Sequence, residues 1–191
     1  ETVDVTNVSI SPVNKTIEVD IPQYTDMTIA ATRKLKRLMS IVAESVPFKP
    51  NVSTISQVLG ISRNLLPEWL VYMEKAGLIM QLRDDTGGIR GLGKVDKVYL
   101  DNTALMFLLG KDNAEVGNVR ETFFMNQVRV GHDVIASSVS DFQIGRYTFE
   151  VGGRNKKQKQ IAGVENAFVV KDDIEIGYQN VIPLWFFGLM Y

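Results

Sequence analysis

Ser140-Asp141-Phe142-Gln143-Ile144-Gly145-Arg146-Tyr147-Thr148-Phe149-Glu150-Val151-Gly152-Gly153-Arg154-Asn155-Lys156-Lys157 reads as two short strands joined by Gly145-Arg146. A Gly-X pair between alternating apolar runs favours a tight two-residue hairpin turn. That loop length sets the register: Ile144 faces Tyr147, Gln143 faces Thr148, Phe142 faces Phe149, and Asp141 faces Glu150. Two carboxylates opposite each other repel unless a cation or a proton sits between them. The basic segment Arg154 to Lys159 follows at once. Paired carboxylates beside lysines are the outline of metal-assisted phosphodiester chemistry.

The chain around this hairpin has 191 residues, 45% hydrophobic and 23% charged, which predicts one or two folded domains rather than a disordered segment. The net charge is -1 but unevenly spread. Residues 1–27 hold one Lys against five acids, residues 28–101 eleven Lys/Arg against seven, and residues 102–191 nine against ten. The middle segment is therefore the one expected to face a polyanion. With no cysteine there is no disulfide, thiolate metal site or cysteine nucleophile. The lone His132 is expected on a loop. The apolar run Ile182-Pro-Leu-Trp-Phe-Phe-Gly-Leu-Met-Tyr191 is too short to span a bilayer and reads as buried. A cytoplasmic location without membrane contact is expected. The Asn-x-Ser/Thr triplets at Asn7, Asn14 and Asn51 are then chance matches. A start without Met, in mid-pattern, reads as a fragment of something longer.

Residues 1–22 alternate apolar and polar positions through Val3, Val5, Val8, Ile10, Ile17, Val19 and Ile21, which predicts strand-like segments with a turn at 11–14. Residues 1–27 are accordingly expected to form an extended arm or linker. From Thr28 to Val46 the period becomes helical, and Pro47 and Pro50 end it. Asn51 to Gly60 predicts a short helix closed by Gly, and Ser62 caps a third helix from Arg63 to Ala76. Strands at 78–83 and 97–100 flank a loop. Helix, short helix, turn, helix and β-hairpin is the winged helix-turn-helix order, assigned to residues 28–101. On that reading Ser62, Arg63 and Asn64 open a recognition helix, and Arg83, Arg90 and Lys94 lie on the wing, with DNA as the partner. The wing stretch Gly88-Ile-Arg-Gly-Leu-Gly93-Lys94-Val95 nearly matches a phosphate-binding loop. However, Val95 replaces the hydroxyl that would hold Mg²⁺ and no helix follows, so no nucleotide site is expected in this chain.

After Asp101 come a short helix at 102–109 and a helix at 118–130 carrying Glu121. Strands are predicted at 133–137, 139–144 and 147–151, then a helix capped by Asn155 that holds Lys156, Lys157 and Gln160, and a strand at 167–170. This is an α/β layer order for residues 102–191.

Glu121 on one helix, Asp141 and Glu150 on a hairpin and Lys/Gln on the next helix resembles the PD-(D/E)xK nuclease superfamily. More widely, residues from about 20 to 191 resemble the C-terminal part of bacterial AAA-type ATP-binding proteins, especially those of the Bacteroidetes group. The stretches carrying that resemblance are Arg33-Lys-Leu-Lys-Arg-Leu38, Ser45-Val-Pro-Phe-Lys-Pro50, Val95-Asp-Lys-Val-Tyr-Leu-Asp-Asn102, Asn118-Val-Arg-Glu-Thr-Phe-Phe124, Phe149-Glu-Val-Gly-Gly153 and Ile182-Pro-Leu-Trp185. The resemblance implies an α+β chain, with a winged helix followed by a small PD-(D/E)xK nuclease-like domain, and a preceding ATPase domain of the same protein as partner. Homo-oligomers are a further expectation. It implies Glu121, Asp141 and Glu150 as ligands of Mg²⁺ or Mn²⁺, with Asp141, Glu150, Lys156, Lys157 and Gln160 as the catalytic set. One departure stands out: the superfamily wants Lys two residues after the acid, and that position is Gly152. A lysine from 156–159 would have to reach back, and a degenerate, non-cleaving nuclease-like domain is the expectation that follows.

Overall fold

A computed structural model of the chain describes residues 10–85, 94–110 and 114–189. The fold is mixed α+β, with seven α-helices and one seven-stranded mixed sheet among these residues. Arg90, the stretch 88–93 and the strand expected before residue 10 lie outside the described residues.

The chain enters through helix, not strand. α1 (Ser11–Lys15), a π-helical turn at Thr16–Asp20 and α2 (Ile21–Gln23) run on from one another. The expected extended arm is therefore corrected for this part of it. Val13, Ile17 and Ile21 are buried at four-residue spacing, whereas Val19, which the alternating reading places with Ile17 and Ile21, is 42% exposed. Both periods fit the letters; burial against the next helix selects the helical one. The π turn has a local cause. Pro22 has no N–H for the ladder, and its ring crowds the carbonyl four residues back, so the helix widens and Ile21 N–H bonds Thr16 O instead. Glu18 on this turn holds Lys36 at 2.7 Å.

α3 (Ile29–Ser45) starts where the Thr28 hydroxyl accepts the Ala31 N–H at 3.2 Å. It buries Thr32, Leu35, Leu38, Met39 and Val42 and sends Arg33, Lys34 and Lys36 outward. α4 (Val52–Leu59) is capped by Asn51, which accepts the Thr54 N–H at 3.1 Å, and ends on Gly60 at φ 59°. That left-handed cap turns the chain into α5 (Leu65–Lys75), whose buried face is Leu66, Trp69, Leu70 and Met73. β1 (Ile79–Arg83) and β2 (Val95–Leu100) then pair antiparallel, from Ile79 with Leu100 to Arg83 with Val95. Phe48, between α3 and α4, adds a third strand position by exchanging both backbone bonds with Val98 at 2.9 and 2.8 Å.

Beyond α6 (Thr103–Gly110) and α7 (Val116–Val128) lie β3 (Val134–Ala136), β4 (Phe142–Ile144), β5 (Tyr147–Gly152), β6 (Ala167–Lys171) and β7 (Val181–Pro183), and a 3-10 helix, Leu184–Leu189. The β4–β5 register is the expected one, Phe142 with Phe149, Gln143 with Thr148 and Ile144 with Tyr147, around Gly145 at φ 56°. β6 and β7 continue the sheet in parallel. The sheet order is β2-β1-β3-β4-β5-β6-β7, and β1 joins β3 in parallel through Arg83 and Ile135. The expected boundary at 101/102 thus falls inside one sheet, and one apolar core runs from Val13 to Phe187.

Two local expectations are corrected. Residues 156–161 form turns rather than a helix, because 157–160 all face solvent and only Ile161 is buried, leaving no apolar stripe to pack. The apolar end is only half buried: Leu184 and Phe187 face the core, while Trp185, Phe186 and Leu189 are exposed.

Candidate carboxylate–lysine site

Asp141 immediately precedes β4 and Glu150 sits within β5, so the tight turn brings them one position beyond the Phe142–Phe149 pair. Phe142 and Phe149 pack against Phe124 of α7, with ring centroids 5.0 and 5.4 Å apart, which fixes the hairpin against the helix that carries Glu121. The Asp141 Oδ2 accepts the Val151 N–H at 2.9 Å. Glu150 is 1% exposed; its Oε1 lies 3.0 Å from Lys156 Nζ, and its Oε2 has no hydrogen-bond partner.

Lys156 reaches this place because Gly152 has no side chain. A Cβ on Gly152 would lie 2.6, 2.7 and 2.8 Å from the Cδ, Cγ and Cβ of Lys156. The lysine stem therefore lies over the strand position where the superfamily pattern wants its own lysine. The turn that returns it is held by the Lys156 N–H donating to Gly153 O at 2.9 Å. Lys157 and Gln160 point into solvent and are not brought to the pair.

Glu121 is engaged elsewhere. Its Oε2 accepts from Lys97 Nζ at 3.2 Å and from the Tyr99 hydroxyl at 2.9 Å. Burial pushes the Tyr99 hydroxyl far above its usual range, with the Glu121 and Asp141 carboxylates adding to the rise. Lys97 and Tyr99 are not among the residues expected at the site, although their spacing of two on a strand puts both on one face. Arg120, also missed, ties α7 to the exit of β6 through Asp172 at 2.9 Å and Asp173 at 3.2 Å. The divalent ion implied by the resemblance finds no matching donor set: among the described residues, no group of three or more His, Cys, Asp or Glu side chains is placed to hold a metal ion.

A cleft of about 730 Å³ borders Asp141, lined by Asp84, Asp85 and Asp96 and by Lys49, Lys97, Ser140 and Gln143, among others. Of the residues expected to meet nucleic acid, Ser62, Arg63 and Asn64 stand exposed at the start of α5. Arg83 is drawn to Glu74 at 3.9 Å and lines a separate cleft of about 670 Å³ with Arg129 and His132. Lys94 is exposed, its backbone N–H donating to Asp84 Oδ1 at 2.8 Å.

Residues 7–115, more than half of the chain, match the family model described as Domain of unknown function (DUF8612). The chain belongs to this family. The DUF8612 match runs from the entry helices through β2 and α6, so Glu121, Asp141, Glu150 and Lys156 lie beyond it. No curated protein and no solved structure matches the chain. Among the described residues, no helix is long and apolar enough to cross a membrane.

Proposed function

We propose that this chain is the nucleic-acid-associated C-terminal region of an AAA-type ATPase, a winged helix-turn-helix followed by a nuclease-like layer that does not cleave. The order α3, α4, α5, β1, β2, with Phe48 bridged to Val98 as a third strand, supports the winged-helix part. The β4–β5 hairpin with Asp141 and Glu150, packed on the helix carrying Glu121, supports the nuclease-like part. The observation that carries the non-cleaving reading is the Lys156–Glu150 ion pair at 3.0 Å, because it commits the acid to a protein cation. The region works in the cytoplasm beside the ATPase domain of the same protein, and its DNA face is the start of α5, with Ser62, Arg63 and Asn64.

Duplex DNA binding measured over a salt series tests this reading. Affinity is expected to fall as salt rises, because lysine and arginine contacts release counterions from the phosphates. Arg63→Ala is expected to weaken binding and flatten the slope by about one contact. Binding insensitive to salt refutes the DNA part; cleavage in Mg²⁺ or Mn²⁺ that disappears in Asp141→Asn refutes the non-cleaving part.

A second reading, a protein-interaction or oligomerisation module, is favoured by two observations. The cleft beside Asp141 holds four aspartates against two lysines, a surface that repels phosphate. Trp185, Phe186 and Leu189 are exposed together on one 3-10 helix. Self-association seen by sedimentation, without any DNA binding, would favour it.

A further inference from the structure

Glu150 does not lack a cation; it already has one. We propose that the ε-ammonium of Lys156 is the resident counter-cation of Glu150, seated by Gly152 beside Asp141, and that it replaces a divalent ion at the base of the hairpin. This deepens the non-cleaving reading above and rests on it.

Four features converge. Glu150 is 1% exposed, and a buried carboxylate persists as an anion only with a partner charge. The one cation in contact with it is Lys156, at 3.0 Å, among the described residues. Glu121, which would have to join a metal's ligand shell, is held by Lys97 and Tyr99. Asp141 is turned onto the backbone of β5 through the Val151 N–H. A small hard ion such as Mg²⁺ needs several oxygen ligands in near-octahedral array, and these three carboxylates are spread over four different partners. An ammonium needs only one good oxygen contact and arrives on its own tether.

Gly152 and Lys156 form one device. The stem carbons of Lys156 lie where any side chain at 152 would begin, within 2.6 to 2.8 Å of its Cβ. A lysine at 152, as the superfamily pattern has it, and the observed path of Lys156 therefore exclude each other. With glycine there, the four-carbon stem lies flat on the strand and its charged end meets Glu150.

The test is a Mn²⁺ titration of the whole chain by calorimetry, with Lys156→Met, Gly152→Ala and the double variant Glu150→Gln/Lys156→Met. The wild-type protein is expected to show no Mn²⁺ site that depends on Asp141. Lys156→Met, which frees Glu150 beside Asp141, is expected to bind Mn²⁺ at least about tenfold more tightly than wild type. The double variant should lose that gain. Gly152→Ala dislodges the lysine stem without removing any charge and should show the same gain, so it decides the matter if Lys156→Met does not fold. The wild-type chain supplies a further readout: an amine-reactive acylating reagent followed by mass spectrometry should label Lys156 at least about tenfold more slowly than exposed Lys157. Equal labelling rates overturn the proposal. So does a folded Lys156→Met or Gly152→Ala that gains no Mn²⁺, an outcome that leaves the non-cleaving reading standing. Wild-type Mn²⁺ binding abolished by Asp141→Asn overturns the proposal, and Mn²⁺-dependent DNA cleavage abolished by the same variant overturns the non-cleaving reading with it.

Discussion

Phe124→Ala should weaken the whole described fold in one step. Phe124 is fully buried at the meeting point of α7, β4, β5 and the 3-10 helix, with ring centroids 5.0, 5.4 and 4.8 Å from Phe142, Phe149 and Phe187. Truncating a buried phenylalanine costs about 3–5 kcal/mol from lost transfer energy and the cavity left behind. Each lost ring pair adds about 0.5–1.5 kcal/mol beyond burial, which argues for the upper part of that range. With a urea slope of about 2–3 kcal/mol per molar, high in the usual range for a chain of this size, the midpoint should fall by roughly 1–2 M. The two tryptophans report separately on the two halves. Trp69 is buried in α5, and Trp185 lies half-exposed in the 3-10 helix. Urea unfolding followed by fluorescence in Trp185→Phe and Trp69→Phe backgrounds should give coincident transitions, shifted equally by Phe124→Ala. The reason is the sheet that continues from β1 into β3 and the core that extends from Val13 to Phe187. A Trp69 transition that keeps its midpoint while that of Trp185 moves would refute this coupling and restore two independent folding units.

Two further outcomes follow from local structure. Tyr99 is raised above its ordinary pKa of 10.0 by burial and by Glu121, so the unfolded chain ionises there first. The stability from the neutral hydroxyl is present in full below pH 10 and is lost as pH rises beyond it toward the folded value. Alkaline spectrophotometric titration should leave at least one of the six tyrosines un-ionised until the fold is lost, and Tyr99→Phe should remove that late step. Asn51→Ala removes the acceptor for the Thr54 N–H and should cost about 1 kcal/mol, read as a lowered thermal midpoint; no change would mean that α4 does not depend on its cap.

The parts of the fold that were legible are those where local chemistry and burial agree. α3 and α5 follow from apolar stripes, and the ends of α3, α4 and α5 from Pro47, Gly60 and Gly77. The β4–β5 register follows from the two-residue Gly145-Arg146 turn, which leaves no freedom to slip. The entry helix was not legible, because Ile17, Val19 and Ile21 satisfy period two as well as a helical stripe, and only the exposure of Val19 separates them. The junction of the sheet rests on one parallel pair, Arg83 with Ile135, between residues 52 positions apart, and no local pattern announces such a contact. At the site, sequence narrowed the returning cation to the lysines of 156–159. The choice of Lys156 depends on the space over Gly152, which is a property of the folded strand. Glu121 stands as a ligand only through the nuclease resemblance; its capture by Lys97 and Tyr99 depends on the strand that the structure lays beside it.

The π turn at Thr16–Asp20 also sets the phase of the entry helix. In an uninterrupted α-helix each residue turns by about 100°, so the eight steps from Val13 to Ile21 would overshoot two full turns by about 80°. Those two side chains would then leave the axis in different directions. A wider turn rotates less per residue and takes up that excess, which is how Val13, Ile17 and Ile21 all reach the core. Deleting one residue within 18–20 would return this turn to ordinary α geometry: the seven steps then left between Val13 and Ile21 total about 700°, within about 20° of two full turns, so both side chains would still face the core.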